Sequence, residues 1–428
     1  MGNAQDSPRH VLVVRGMFGT LGGAERELLQ LIPKLEKEWR VSLATLSLPS
    51  EAKELLHSTT VEIHQSQLNF DPPLDVLSEV RNVASKQALR LWKNMSIPWD
   101  SIDVVHLSVC RGTLEILPLI PSTIPVLYHC LEPPRWLYDD VLHRRLDGKK
   151  KRPSLLTNIA FRKQRNDDQR LVNLLLKRPN STICGNSQYT AHRITATYNL
   201  PIDCSQQKGA SPKRDGQRRA LQSTFIYPSI DLEKWPAEAS NDEMADVEAL
   251  NLPEKYVVTI GKIMFGKGTM ESVAFLENTG IALVQIGGGD DSDRNELLHF
   301  AQTKNVQVVC MPRLNQRQIC GVVRHAIAVV SHAHREPFGL TPLEALAIGI
   351  PPMMVRDGGF IETMSSIDEA YLIDRNDANG WRNGLERAQT EAFRNHCMAR
   401  GRAYIGTHFS LDEQAEHLSA LLKEQLDS

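Results

Sequence analysis

Short apolar runs alternate with amphipathic stretches along almost the whole chain, and this rhythm constrains the fold more than any other feature. Residues 11–14, 41–46, 61–64, 103–107, 126–129 and 182–184 form one series of candidate strands. A second series covers 256–260, 282–286, 306–309, 326–330, 352–355 and 371–373. Apolar runs of strand length separated by helix-period segments read as parallel sheets with crossover helices. Two such series in 428 residues predict an α/β protein with two Rossmann-like, doubly wound parallel-sheet domains in tandem. Residues 205–222 are polar, basic and punctuated by Gly and Pro, which predicts a loop. Residues 225–228 are read as a last N-terminal strand. The domains are expected at 1–224 and 225–404. Residues 405–428 are expected to carry a C-terminal helix, amphipathic over 411–426, that packs back toward the N-terminal domain.

Composition removes several classes of function. A formal net charge of -2 gives no global pull toward nucleic acid. The seven cysteines are odd in number and scattered, with no pair at metal-ligand spacing, which predicts reduced thiols in a cytoplasmic protein. The first ten residues hold no apolar core, so no signal peptide is expected. Asp6 stands where myristoylation wants Ser or Thr. No apolar run approaches membrane-spanning length, so any membrane contact is expected to be peripheral, on the inner membrane face. One basic run stands out: Arg144, Arg145, Lys149, Lys150, Lys151 and Arg152, then Arg162, Lys163 and Arg165. A charge run is usually a solvated face. Beside an acceptor site it also suits anionic lipid headgroups or a pyrophosphate-linked acceptor.

Chemistry concentrates in residues 331–362, SHAHREPFGLTPLEALAIGIPPMMVRDGGFIE. Glu336 and Glu344 lie either side of a Phe338-Gly339 turn and a helix start. Thr341 is expected as N-cap, Pro342 as first helical residue and Glu344 as the third. A helix start presents free N–H groups and partial positive charge, which seats a phosphate, while carboxylates accept hydrogen bonds from hydroxyls. Phosphate and hydroxyls together describe a sugar nucleotide. Thr341-Pro342-Leu343-Glu344 also fits a capping box that needs no ligand, but a cap does not explain Glu336 or the surrounding glycines.

Two further turns follow strands. Gly16-Met17-Phe18-Gly19-Thr20-Leu21-Gly22-Gly23 precedes a helix expected over 24–37, with Pro33 expected to kink it. Glycines at such a turn let backbone approach a phosphate or sugar. The spacing is not G-x-G-x-x-G, and from the turn alone a ligand cradle and an empty tight turn stand equal. Gly261-Lys262-Ile263-Met264-Phe265-Gly266-Lys267-Gly268 places two lysines at the carboxyl end of a strand, where ligands bind in such sheets. Two ammonium groups suit a diphosphate leaving group, although two solvated lysines are the commoner case. Asp291-Ser292-Asp293 is read as solvated helix caps, and His332-x-His334 has few acidic neighbours in sequence, so no metal is assigned.

Taken together, these residues resemble the retaining GT-B glycosyltransferases of family 4, also called group 1. The resemblance runs end to end: Gly22-Gly23-Ala24-Glu25-Arg26, His129, Asn186-Ser187, Tyr227-Pro228, Lys267-Gly268, then Glu336-Pro337-Phe338-Gly339 and Glu344-Ala345 in an E-x7-E pattern, with Gly349, Pro351 and Gly358-Gly359. It implies two Rossmann-like domains facing a cleft, the acceptor on the N-terminal one and the nucleotide sugar on the C-terminal one, with no metal or other cofactor. The donor implied is a GDP-sugar or UDP-sugar, and the partner a glycan or lipid-linked acceptor. Glu336 is implied to bond donor-sugar hydroxyls and Glu344 the ribose. Lys262 and Lys267 are implied to hold the diphosphate. The N–H groups of Phe338, Gly339 and Leu340 are implied to touch sugar and phosphate. Gly22 and Gly23 are implied to close over the diphosphate, and His129 to sit near the reacting sugar. The family usually has Gly-Arg where Gly261-Lys262 stands, and a lysine offers a point charge without the guanidinium fork. The stretch after His129 is similar to that of a polysaccharide mannosyltransferase subgroup but one residue longer, so mannose is a lean.

The expected reaction is transfer of a hexose to an acceptor hydroxyl with retention, the diphosphate itself taking the acceptor proton. The lysines and the helix amides stabilise the leaving group, and Glu336 positions the sugar. The alternatives are a sugar-nucleotide epimerase or sugar phosphorylase of the same fold, a binding module without turnover, and a nicotinamide dehydrogenase. The last lacks its glycine fingerprint.

Overall fold

The computed structural model describes residues 8–19, 22–72, 81–200 and 224–427. The loop expected at 205–222, with Cys204, and Thr20 and Leu21 of the first turn lie outside them. The chain divides into two compact units. The N-terminal unit comprises Met1–Tyr138, Ser154–Pro228 and Leu411–Ser428, and the C-terminal unit Asp139–Pro153 and Ser229–Ser410.

The N-terminal unit is built on a seven-stranded parallel sheet in the order β3-β2-β1-β4-β5-β6-β7. Its strands are β1 (His10–Met17), β2 (Arg40–Ser47), β3 (Glu62–Gln65), β4 (Val104–Ser108), β5 (Val126–Leu131), β6 (Thr182–Gly185) and β7 (Thr224–Phe225). The unbroken apolar run in β1 has a direct cause. Leu12 and Val14 enter one core cluster while Val11 and Val13 enter the other, so both faces of the strand are buried. The terminal helix Leu411–Leu426 packs on the helix Gly23–Leu35, burying Leu418 and Leu422. Trp39 Nε1 donates to Ser419 Oγ at 2.8 Å, and Lys34 Nζ lies 2.7 Å from Asp412. The Gly23–Leu35 helix runs on past Pro33 to Leu35.

The C-terminal unit carries a six-stranded parallel sheet, β10-β9-β8-β11-β12-β13. These are β8 (Tyr256–Ile260), β9 (Ala282–Ile286), β10 (Val308–Cys310), β11 (Val329–Ser331), β12 (Pro352–Val355) and β13 (Leu372–Ile373). Strand order reverses between β1 and β4 in one unit and between β8 and β11 in the other. A crevice opens outside the carboxyl ends of strands at such a reversal, because the crossover helices leave toward opposite faces. The loops after β8 and β11 are those that hold Lys262, Lys267 and Glu336.

Candidate active site

In the C-terminal unit the loop after β8 is pinned from two sides. Gly261 donates its N–H to Ile286 O at 2.8 Å, and Ile263 to Gly288 O at 2.9 Å. Gly287 has φ +116, and a Cβ there would lie 2.3 Å from Gly261 O. Gly268 has φ +64, and a Cβ there would meet His332 O at 2.1 Å. The turn that presents Lys267 is therefore pressed against the end of β11. Lys267 runs its methylenes under Gly261 and brings Nζ to 2.8 Å from Glu336 Oε2. Lys262 is exposed on the same loop. The side chains of Lys267 and Glu336 are 34% and 16% exposed, so the pair is part-buried yet reachable.

The Glu336 loop is held just as closely. Gly359 donates to Glu336 O at 2.7 Å. Cβ atoms at Gly358 and Gly359 would each lie 2.5 Å from a backbone oxygen, those of Glu336 and Pro337. Gly339 has φ +99, and its missing Cβ makes room for the Phe360 ring at 2.5 Å. Phe338 is buried and sits edge-on to Phe409, ring centres 5.6 Å apart. Gly339 is the N-cap and the helix is Leu340–Ala347. This corrects the expected Thr341 cap. The left-handed Gly339 turns the chain two residues earlier, which puts Glu344 at the fifth helical position, beyond capping-box reach. Burial pushes the Glu344 carboxyl up to about 7, and among the described residues no cation pairs with it. The first-turn N–H groups, Leu340's among them, have no partner within the helix.

Several further side chains frame this site. Arg375 donates to His332 O at 2.8 Å and Ala333 O at 3.0 Å while pairing with Glu271 and Asp357 at 2.9 and 3.0 Å. It ties the ends of β11, β12 and β13 together. Asp139 is buried and pairs with Arg335 at 2.9 Å. Val141 touches the Gly266 turn, where a Cβ would meet it at 2.9 Å. His332 and His334 have separate partners: His332 faces Ser272 Oγ at 3.0 Å and stacks on Trp381, and His334 stacks on Phe265 and lies 3.0 Å from Glu271. Among the described residues no group of His, Cys, Asp and Glu is arranged to hold a metal.

In the N-terminal unit, Gly22 is the N-cap of Gly23–Leu35 and donates to Glu25 Oε2 at 3.2 Å. Glu25 in turn pairs with Arg15, a residue 3% exposed whose guanidinium also donates to Ser108 Oγ and Val109 O at 3.0 Å each. Gly16 is a packing glycine, since a Cβ there would lie 2.4 Å from Arg111 O. A Cβ at Gly23 would meet nothing within 4 Å among the described residues. His129 is buried on β5 beside His106, ring centres 5.8 Å apart. Burial, then the Arg15 charge, bring its pKa down to about 4, so the ring is neutral at physiological pH. Its Nε2 has no hydrogen-bond partner among the described residues. A register shift between His129 and Leu131, with Leu131 at φ +52, breaks the strand just after it.

Residues 240–403 match the family model described as Glycosyl transferases group 1. Over that stretch the chain is similar to the group 1 glycosyltransferases. The D-inositol 3-phosphate glycosyltransferase of Xylanimonas cellulosilytica is 27% identical over 201 residues, 44% of this chain and 48% of its own length. The alpha-1,3/1,6-mannosyltransferase ALG2 of Rhizomucor pusillus is 27% identical over 121 residues, 28% of this chain and 26% of its own. The chain thus spans about half, or about a quarter, of the curated relatives it matches. Among solved structures, Anabaena HepE in complex with UDP and glucose superposes with TM-score 0.62 at 16% identity, covering 97% of this chain and 99% of that one. Sucrose-phosphate synthase from Thermosynechococcus elongatus gives 0.66 at 16% identity, covering 97% and 98%. The fold is GT-B.

Within the matched stretch the structure brings Lys267 and Glu336 into direct contact and sets Phe338, Gly339 and Leu340 at the adjoining helix start. Lys262 stands on the Lys267 loop and Glu344 further along the 340–347 helix. Gly22, Gly23 and His129 belong to the N-terminal unit. Arg375 is the support that sequence reading missed, its only signal being an arginine two residues past a short strand. Asp139 ends the mannosyltransferase-like stretch after His129, where sequence alone assigns it no structural role.

Proposed function

We propose that this protein is a retaining glycosyltransferase. It moves a hexose, with a lean to mannose, from a nucleotide-diphosphate sugar to an acceptor hydroxyl in polysaccharide, glycolipid or glycoconjugate synthesis. The observation that carries the reading is the Lys267–Glu336 pair at 2.8 Å, set by close-packed glycines beside the helix start at Leu340, inside the group 1 match. A cation next to free helix amides suits a departing diphosphate, and a carboxylate beside it suits the sugar hydroxyls. Lys267 balances Glu336 until the donor arrives. It then neutralises the phosphate charge that grows as the glycosidic bond breaks, with Lys262 and the first-turn amides contributing.

Glu344, held at the edge of ionisation without a cation, is assigned to the ribose hydroxyls, which satisfy a buried carboxyl without full desolvation of a charge. Gly22 and Gly23 are assigned to the diphosphate, and the neutral His129 to the sugar as a hydrogen-bonding group. The diphosphate oxygen takes the acceptor proton, so neither a metal nor a protein nucleophile enters the scheme. The relatives named for mannosyl and inositol-phosphate glycosyl transfer support a hexose and leave the mannose lean as the finer proposal.

Two measurements test this. GDP or UDP should raise the melting temperature and NAD should not, because a ligand stabilises the folded state only where it binds. A panel of labelled donors should then show slow hydrolysis of one GDP- or UDP-hexose with the anomeric configuration kept. No shift with either nucleotide, or a product of inverted configuration, would refute the reading. Nucleotide binding without any turnover would move the chain to the alternative of a non-catalytic sugar-nucleotide module.

A further inference from the structure

Among the described residues, eight that are not glycine hold a positive φ, between +48 and +64. Six of them are asparagines, whose short polar side chain makes this conformation tolerable. The other two are Leu131 and Arg335. Leu131 follows His129 by two positions, and Arg335 directly precedes Glu336. A long side chain held left-handed is strained, and it stays so only where its surroundings over-determine it.

At Arg335 the surroundings lie in the C-terminal unit. Arg335 Nη1 donates to Asp139 Oδ1 at 2.9 Å. The Asp139 side chain is 0% exposed and that of Arg335 51%, so the carboxylate is the buried partner and depends on the cation. A Cβ at Gly358 would lie 2.7 Å from Glu336 N and 3.0 Å from Arg335 C, so the peptide joining these two residues runs hard against Gly358.

The same carboxylate reaches the other half of the site. Asp139 Oδ1 accepts the Val141 N–H at 3.1 Å, which starts the short turn Val141–His143. Val141 packs on Gly266, the residue before Lys267. His334 N–H donates to Gly266 O at 2.9 Å and ties that turn back to the Arg335 loop.

We propose that Asp139 is a positioning residue for the Lys267–Glu336 site. Its charge holds Arg335 left-handed, which aims Glu336 at Lys267, and its bond to Val141 seats the turn that presents the lysine. The expected effect on turnover rests on the glycosyltransferase reading. The expected effect on the geometry of the pair does not.

The test compares three variants of the full chain with the wild type. Asp139→Asn keeps the size and an acceptor oxygen for Val141 but removes the charge. Residue 335 should then relax to a negative φ in the crystal structure, and Glu336 should leave Lys267. Donor hydrolysis should fall about tenfold or more in kcat, since a displacement of about 1 Å is enough for such a loss. Donor KM should change less. Adding Arg335→Asn should restore most of the lost kcat, because asparagine occupies the left-handed region without an ion pair. Adding Arg335→Val instead removes the same guanidinium but resists that conformation, and should restore nothing. The two double variants share the loss of the pair, so their difference carries the test even where Asp139→Asn alone does not fold. Wild-type kcat in Asp139→Asn, or equal kcat in the two double variants, overturns the proposal. So does an Asp139→Asn crystal structure in which residue 335 and the Lys267–Glu336 contact are unchanged. A wild type that hydrolyses no GDP- or UDP-hexose refutes the glycosyltransferase reading instead, and the crystal structures then decide the positioning role by themselves.

Discussion

The glycines at the two sheet edges do different jobs. At the carboxyl end of the C-terminal sheet, Gly268, Gly287, Gly339, Gly358 and Gly359 are demanded by the protein itself, each with backbone or ring atoms where a Cβ would go. In the N-terminal unit Gly16 is of that kind, but Gly23 faces open space. The cations differ in the same way: the Lys267 side chain is 34% exposed beside Glu336, whereas that of Arg15 is 4% exposed beside Glu25, and the N-terminal unit adds a buried, neutral histidine. The contrast teaches that a glycine motif has two readings, assembly and access, and that only the space around each residue tells them apart.

The largest effect should come from breaking assembly. Gly268→Ala forces a Cβ onto a backbone oxygen at 2.1 Å in a left-handed conformation. Neither side yields cheaply, and the loss should be about 3 kcal/mol or more. A urea midpoint well below the wild type, or failure to fold, is expected. A stable Gly268→Ala protein would erase the distinction between the two edges.

Next in size is the cation. Lys267→Ala should lower turnover by about 10²–10³ with the fold intact, as removal of one electrostatic stabiliser does. Because Lys267 and Glu336 share one contact, Glu336→Gln in the Lys267→Ala background should cost much less than it does alone. Additive losses in kcat would show that the pair in the free enzyme has no bearing on the reaction. Unchanged kcat in Lys267→Ala would remove the lysine from the mechanism.

How much of this was legible in the sequence follows from what each element depends on. Strands β8, β9 and β12 stand at the predicted residues, because a strand buried on both faces announces itself as a continuous apolar run. The helix at 340–347 was legible but its cap was not. Thr-Pro-x-Glu is a strong local signal, and the left-handed Gly339, set by its packing against Phe360, overrode it. The Lys267 and Glu336 positions were marked by their glycines, whereas their 2.8 Å contact depends on β8 and β11 being neighbours across the reversal of strand order. Arg375 was invisible, because its partners are backbone carbonyls and side chains far away in sequence and nothing local distinguishes it from a solvated arginine. Asp139 was legible as the end of the stretch after His129, but its pairing with Arg335 was not.

A smaller effect separates strain kept for function from strain kept for folding. The Glu344 carboxyl titrates at about 7 in the folded protein against an ordinary 4.5. Between those values the folded chain holds a proton that the unfolded chain releases, so this group lowers stability as pH rises through the window, with the full penalty above it. Glu344→Gln should therefore be more stable than the wild type by ~1–3 kcal/mol at pH 8 and equal to it at pH 4. It should also bind the nucleotide more weakly, since the amide offers one acceptor oxygen to the two ribose hydroxyls where the carboxylate offers two. If the variant gains no stability at high pH, burial is not straining this carboxyl. If it gains stability and loses no affinity, the strain serves something other than the nucleotide.

The smallest effect is the sharpest on the comparison. Gly23 opens its helix at a φ outside the left-handed region, with nothing among the described residues within 4 Å of its would-be Cβ. Alanine is the better helix former, so Gly23→Ala should leave stability unchanged or raise it by up to about 1 kcal/mol. On folding grounds alone this glycine is therefore a mild loss. Under the proposed donor role the glycine has a use, because a methyl group there would stand between the backbone and the phosphate or sugar. Donor KM should rise several-fold in Gly23→Ala while the melting temperature holds or increases, and the acceptor KM should change less. Unchanged donor kinetics would reduce the open side of Gly23 to plain solvent and remove the N-terminal turn from the donor site, leaving the Lys267–Glu336 site to stand on its own geometry.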